Sequence, residues 1–180
     1  AEPSVPVYRD ATAHINPPIA FRLPPLGFRS PRGERSMLPG KGSPQLIILW
    51  SAECPVSRMQ LKRVAENSRA YRVAGVPLVI ALNVDGEEFR EKAAGVMKEL
   101  RWPFEWGSIE GPSLDCLGEF QRALFDVTVP MTIPLAFLCG EAGEVMGIYR
   151  GSFEAPVIGA DLKALCSKNA LTWTSITLPR

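Results

Sequence analysis

The sequence predicts an α/β protein built on a central mixed β-sheet flanked by helices. Leu46-Ile47-Ile48-Leu49-Trp50 is a continuous apolar run and Pro77–Val84 (PLVIALNV) reads as a second buried strand, as expected of strands covered on both faces. The segments that follow them carry apolar residues at helical spacing. Strand and helix signals alternate along the chain and close on two strands and a last helix, an order that suits a layered domain with helices on both faces of the sheet.

The elements follow in order. Residues 1–18 (AEPSVPVYRDATAHINPP) are proline-rich and lack periodicity, and they read as an arm. Residues 19–167 form the domain and residues 168–180 a tail. Phe21 and Leu23, then Met37 and Leu38, flank the turn signal Ser30-Pro31-Arg32-Gly33, giving an N-terminal β-hairpin extension. The first apolar run leads into a helix from Val56 to Val73, with Leu61, Val64, Ala65, Ser68 and Tyr71 on one stripe and Gly75 closing it. The second leads into a helix over Glu87–Leu100. Phe104–Ile109 is a short strand, and Ser113 is the expected N-cap of a helix through Phe125. Leu135–Leu138 and Val145–Tyr149 form a hairpin about Gly140-Glu141-Ala142-Gly143. A last helix begins at Asp161–Cys166.

Composition removes several kinds of function. The 180 residues carry 20 Lys+Arg against 19 Asp+Glu, a net charge of +1. That balance gives no footprint for nucleic acid. No apolar run reaches the length of a membrane span, so no membrane insertion is expected. The single histidine, His14, excludes multi-histidine metal sites and reads as a surface residue without a function, with no second ligand residue near it in sequence. No metal and no organic cofactor is implied. The start at Ala1, with no basic or apolar leader, fits a mature exported protein or a piece of a larger one.

Chemistry therefore falls to the cysteines, Cys54, Cys116, Cys139 and Cys166. Cys139 ends an apolar strand and Cys166 lies on the apolar face of a helix, so both read as small buried hydrophobes. Cys116 sits near a helix start, where a thiol could be exposed and serve as a distant resolving partner. Cys54 lies in Leu49-Trp50-Ser51-Ala52-Glu53-Cys54-Pro55-Val56-Ser57-Arg58, where a buried strand ends and a helix begins. Unpaired amides and the positive dipole end of a helix N-terminus favour a thiolate over a thiol. Pro55 suits the first helical position. Ser57 could donate its hydroxyl toward the sulfur. Arg58 adds a positive charge, which the adjacent Glu53 partly offsets. Trp102 and Trp106 are expected in core or edge packing, and Arg29, Arg32, Arg35 and Lys41 on the solvated side of the hairpin.

This junction resembles the thioredoxin-like superfamily, in particular its TlpA-like and redoxin branch, where a strand and a tryptophan-bearing turn lead to Cys-Pro-x-Cys at a helix start. Val129-Pro130-Met131-Thr132-Ile133-Pro134-Leu135 is similar to the loop that ends in a cis-proline, and Gly143 and Gly151 follow in the family's order. The resemblance implies a thioredoxin-like fold, a cis Pro134, and a substrate groove formed by Trp50, Pro55, Ile133 and Pro134 beside Cys54. It also suggests an extracytoplasmic location.

The departures bear on mechanism. Ser57 occupies the position of the second cysteine, so the motif is CxxS. Ile48 stands where some relatives carry a buried acid. Ile47 stands where the peroxidase pattern needs proline, which disfavours peroxidase activity. The resemblance thus implies a thiol-disulfide exchange domain with one site thiol. Cys54 would be the nucleophile, Ser57 its polariser, and protein or small-molecule disulfides and thiols the partners. The alternative is a non-catalytic binding module of a larger extracytoplasmic protein.

Overall fold

The computed structural model describes residues 13–17, 21–76, 78–125 and 131–169. The strands are β1 (Ala13–Ile15), β2 (Leu26–Arg29), β3 (Arg35–Leu38), β4 (Gln45–Trp50), β5 (Leu78–Asn83), β6 (Glu105–Ile109), β7 (Leu135–Cys139) and β8 (Val145–Arg150). The helices are α1 (Pro55–Glu66), α2 (Ser68–Val73), α3 (Arg90–Glu99), α4 (Gly111–Phe125) and α5 (Ala155–Asn169), with a single 3-10 turn at Glu87–Phe89 before α3.

The strands form one sheet in the order β1-β8-β7-β4-β5-β6-β2-β3. β4, β5 and β6 run parallel, and β7, β8, β1, β2 and β3 join by antiparallel pairings. Every residue of β4 is buried. Alternation along that strand divides the core in two. Leu46, Ile48 and Trp50 face Leu61, Val64, Tyr71, Val96, Met97 and Ile158, so α1, α2, α3 and α5 cover one side. Ile47 and Leu49 share the other cluster with Leu114, Leu117 and Phe120, so α4 covers the opposite side. No helix among the described residues is long and apolar enough to cross a membrane.

Several expectations shift in position. The hairpin is β2–β3, displaced from Phe21 and Leu23 because Pro24-Pro25 withholds two amide donors from any ladder there. β2 continues onto β6 at Phe28↔Ile109. A Cβ on Gly107 would stand 2.4 Å from the Arg29 carbonyl oxygen, so this close approach requires glycine. The long helix expected over Val56–Val73 divides at Asn67, whose side-chain amide donates to the Arg63 carbonyl at 2.9 Å and whose own backbone leaves the helical region. Ser113 is not the cap of α4, which begins at Gly111; its Oγ instead accepts the Gly27 amide at 2.8 Å and ties the helix to β2. α5 starts at Ala155, ahead of the expected start at Asp161.

The stretch read as an arm contains β1, which pairs with β8 at His14↔Tyr149. His14 is not partnerless. Its Nε2 meets Asp161 Oδ2 at 2.7 Å, and its ring stacks on Tyr149 at 4.8 Å. The mostly buried Asp161 also accepts from Asn16 and from the Tyr149 hydroxyl. Burial, then the Asp161 hydrogen bond and charge, hold the Tyr149 phenol well above its ordinary range. Trp102 and Trp106 pack partly buried against the α1–α3 side of the core. The expected hairpin surface is less free than its charge suggests, because Arg29 and Arg35 both pair with Glu110. The segment 126–130, the Cys166 side chain and the tail beyond 169 lie outside the described residues.

Candidate functional site

β4 ends at Trp50, and a short turn leads to α1. The turn is held from within and below. Cys54 N–H donates to the Ser51 carbonyl at 3.3 Å, and Glu53 N–H to Ser51 Oγ at 3.0 Å. Ala52 N–H donates to Asp85 Oδ2 at 2.6 Å. Asp85 is in turn held by Asn83, fully buried at the end of β5, which donates to the same oxygen at 2.9 Å. These bonds fix the direction in which the chain enters the helix.

Cys54 is the N-cap of α1, with extended backbone (φ −94°, ψ 112°), and Pro55 takes the first helical position. The cap group is the sulfur itself: Sγ accepts the Ser57 amide at 3.4 Å. Cys54 is half-buried, and its Sγ lies 3.9 Å from the Ile133 carbonyl oxygen, toward which the thiol can donate. The Ile133–Pro134 peptide is cis. Pro134 is buried, and Met131, Thr132 and Ile133 remain half-exposed. The Pro134 carbonyl accepts the Gly151 amide at 2.9 Å, and Arg150 donates to Thr132 Oγ1 at 2.8 Å.

The structure thus brings Cys54, Pro55, Ser57, Ile133 and Pro134 together, and it alters two of the expected roles. Ser57 contributes its amide rather than its hydroxyl. Its side chain is fully buried and its Oγ has no hydrogen-bond partner among the described residues. The N-cap geometry explains this, since the sulfur sits over the first-turn amides while the first-turn side chain at Ser57 turns inward. Trp50 does not line a groove. It is fully buried within the core beside Ile48 and Leu46, on the strand face that packs against the helices.

The charges near the sulfur are also tied up. Glu53 pairs with Lys92, and Arg58 pairs with Glu99 at 3.3 Å, both partners lying on α3. Neither stands as a bare charge beside Cys54. Cys116 is an exposed free thiol on α4, the helix on the opposite side of the sheet from the body of α1. Cys139 is fully buried; burial, and secondarily Glu144, push its thiol up to about 12. Among the described residues no group of histidines, cysteines and carboxylates could hold a metal ion.

No protein-family model and no curated protein matches the sequence. Solved structures do match. A thiol:disulfide interchange protein of the thioredoxin family from Chlorobium tepidum TLS superposes with TM-score 0.63 at 13% identity, over 81% of this chain and 96% of that one. The fold is thioredoxin-like. StoA from Bacillus subtilis matches with TM-score 0.53 at 20% identity, over 82% and 99% of the two chains. A secreted Mycobacterium tuberculosis disulfide oxidoreductase matches with TM-score 0.53 at 10% identity, over 77% and 94%.

Asp85, Asn83, Thr132 and Arg150 escape the sequence reading. Asn83 had a signal, a polar side chain closing an otherwise apolar strand. Asp85 follows it by two residues. Thr132 and Arg150 meet only through the pairing of β7 with β8, which no local pattern in the sequence announces.

Proposed function

We propose that the protein exchanges thiols and disulfides through Cys54 as its one site thiol. The observation that carries this reading is the position of Sγ. It caps a helix N-terminus, belongs to a half-buried residue, and lies 3.9 Å from the Ile133 carbonyl beside cis Pro134. A helix N-terminus stabilises the attacking thiolate. The thioredoxin-like fold, shared with thiol-disulfide oxidoreductases, supports it.

In the exchange, the Cys54 thiolate attacks one sulfur of a disulfide R–S–S–R. A Cys54–S–S–R bond forms and the original S–S bond breaks. The other R–S group leaves as a thiolate, taking the electron pair of the broken bond. Because Ser57 cannot displace R–S, release requires a second thiolate from solution. It attacks the sulfur of the bound R–S group, forms a new disulfide with it, and regenerates the Cys54 thiolate. An extracytoplasmic setting belongs to the same reading, supported by the secreted M. tuberculosis structure of the same fold.

The test is incubation with hydroxyethyl disulfide, a neutral substrate, followed by mass mapping of the adducts. A mixed disulfide on Cys54 that forms faster than on Cys116, and that a small thiol removes, supports the proposal. A Cys54 that forms no adduct while Cys116 does would leave only the non-catalytic binding module.

A further inference from the structure

β8 ends at Arg150, which stands opposite Leu135, the residue directly after Pro134. Side chains alternate along a strand. Tyr149 joins the α1–α3 side of the core and Ile148 the α4 side, so Arg150 projects on the same side as Ile148. That is the side on which Met131 and Ile133 pack. The guanidinium reaches back to Thr132 Oγ1 at 2.8 Å. Thr132 immediately precedes Ile133, whose carbonyl faces the Cys54 sulfur.

Arg150, which meets the cis-proline loop at Thr132, differs from the charges that flank Cys54. Glu53, Lys92, Arg58 and Glu99 are all engaged in ion pairs. Arg150 is in no ion pair among the described residues. Its Nε is buried and has no hydrogen-bond partner among the described residues. A guanidinium presents five N–H donors in a planar fork suited to a carboxylate, and an unmet buried donor is costly. A permanently charged fork, half-buried and without a counter-charge among the described residues, borders the loop that meets the thiol.

We infer that Arg150, with Thr132 orienting it, is a specificity residue that receives an anionic group of the substrate, so that Cys54 acts preferentially on disulfides carrying a carboxylate a few bonds from the sulfur. This rests on the exchange reading of Cys54. The carboxylate docks against the guanidinium of Arg150 while the disulfide lies along the Ile133 backbone. The thiolate attack and the departing R–S⁻ are the same as for a neutral disulfide; only the tail of R is held.

Three disulfides with the same two-carbon spacer separate the two ideas: dithiodipropionate (anionic), hydroxyethyl disulfide (neutral) and cystamine (cationic). Rates of Cys54 mixed-disulfide formation are each divided by the rate with free mercaptoethanol, which removes intrinsic reactivity. In the unaltered protein the anionic-to-neutral ratio is expected to be about fivefold or more at low salt, falling as salt screens the contact. The cationic-to-neutral ratio is expected below one. Arg150→Gln should bring the anionic ratio to about one, and Arg150→Lys, which keeps the charge, should retain part of it. Reaction of Cys54 with the neutral disulfide but an anionic ratio of one in the unaltered protein would overturn the Arg150 assignment alone. So would a ratio that Arg150→Gln leaves untouched. Failure with all three disulfides would overturn the exchange reading itself.

Discussion

The Oδ2 atom of Asp85 accepts the Ala52 amide at 2.6 Å, two residues ahead of the thiol that the turn presents. The carboxylate and Asn83 together brace the turn from the neighbouring strand end. Asp85→Ala leaves the buried Ala52 amide without an acceptor, at a cost of about 1–3 kcal/mol. It is expected to slow Cys54 exchange with a neutral disulfide severalfold. Asp85→Asn keeps an acceptor oxygen and should recover most of the rate. A loss of stability in both variants with unchanged exchange in both would remove the positioning role.

Ser57 lies one helical turn after Cys54, and three residues of α-helix bring two Cα atoms to about 5 Å, within disulfide range. Its hydroxyl is buried and unbonded, and cysteine suits such a site better than serine does. Ser57→Cys is therefore expected to fold and, on oxidation, to join its introduced thiol to Cys54 in a disulfide. Against hydroxyethyl disulfide, thiol release from the Cys54 site should double, because the new thiol displaces the bound R–S group. Mass mapping and thiol titration read both outcomes, and an unchanged stoichiometry would show that the two sulfurs cannot meet.

Asp161 on α5 gathers donors from β8 and from the β1 segment: Tyr149, His14 and Asn16. Asp161→Ala strands all three, and urea unfolding should show a loss of at least about 1–3 kcal/mol, larger than for His14→Ala. Amide exchange across Ala13–Ile15 should accelerate in the same variant. The Tyr149 phenol keeps its proton in the folded state far above the value it has in the unfolded chain. Stability should thus fall as pH rises beyond the ordinary phenol value of about 10, and Tyr149→Phe should lessen that fall.

The Glu110 carboxyl is held below its ordinary value, chiefly by the Arg35 hydrogen bonds and then by the charges of Arg35 and Arg29, against an opposing contribution from burial. A depressed carboxyl contributes stability above its unfolded value and loses it as pH falls through the folded one. Glu110→Gln should therefore lower the melting temperature near neutral pH, and the gap to the unaltered protein should close in strong acid. A gap that persists there would assign the effect to packing instead of charge.

The parts of the fold that were legible are those whose signals are local. The apolar runs within β4 and β5 announce strands buried on both faces, and Cys54-Pro55 announces a helix start after a strand. What was not legible depends on distant partners. β1 is three residues in a proline-rich stretch, and it is held by β8 and by an acid 147 positions away from His14. Ser113 has the chemistry of a cap, but Gly27 of β2 competes for its oxygen. Trp50 looks like a residue of the site because it is near it in sequence; the alternation of β4 sends it into the core. Within the site, the thiol and the cis-proline loop could be read from motifs, whereas Asp85 reaches the turn at Ala52, and Arg150 the loop at Thr132, only through parallel and antiparallel pairing.

Both rims of the eight-stranded sheet are short. Among the described residues β1 has three and β3 has four, with Arg35, Ser36 and Met37 of β3 exposed. A long, flat and apolar rim invites continuation of the ladder by another chain, and brief or charged rims discourage it. The extra strands that widen this sheet on either side therefore also terminate it, and they protect the molecule from edge-to-edge aggregation.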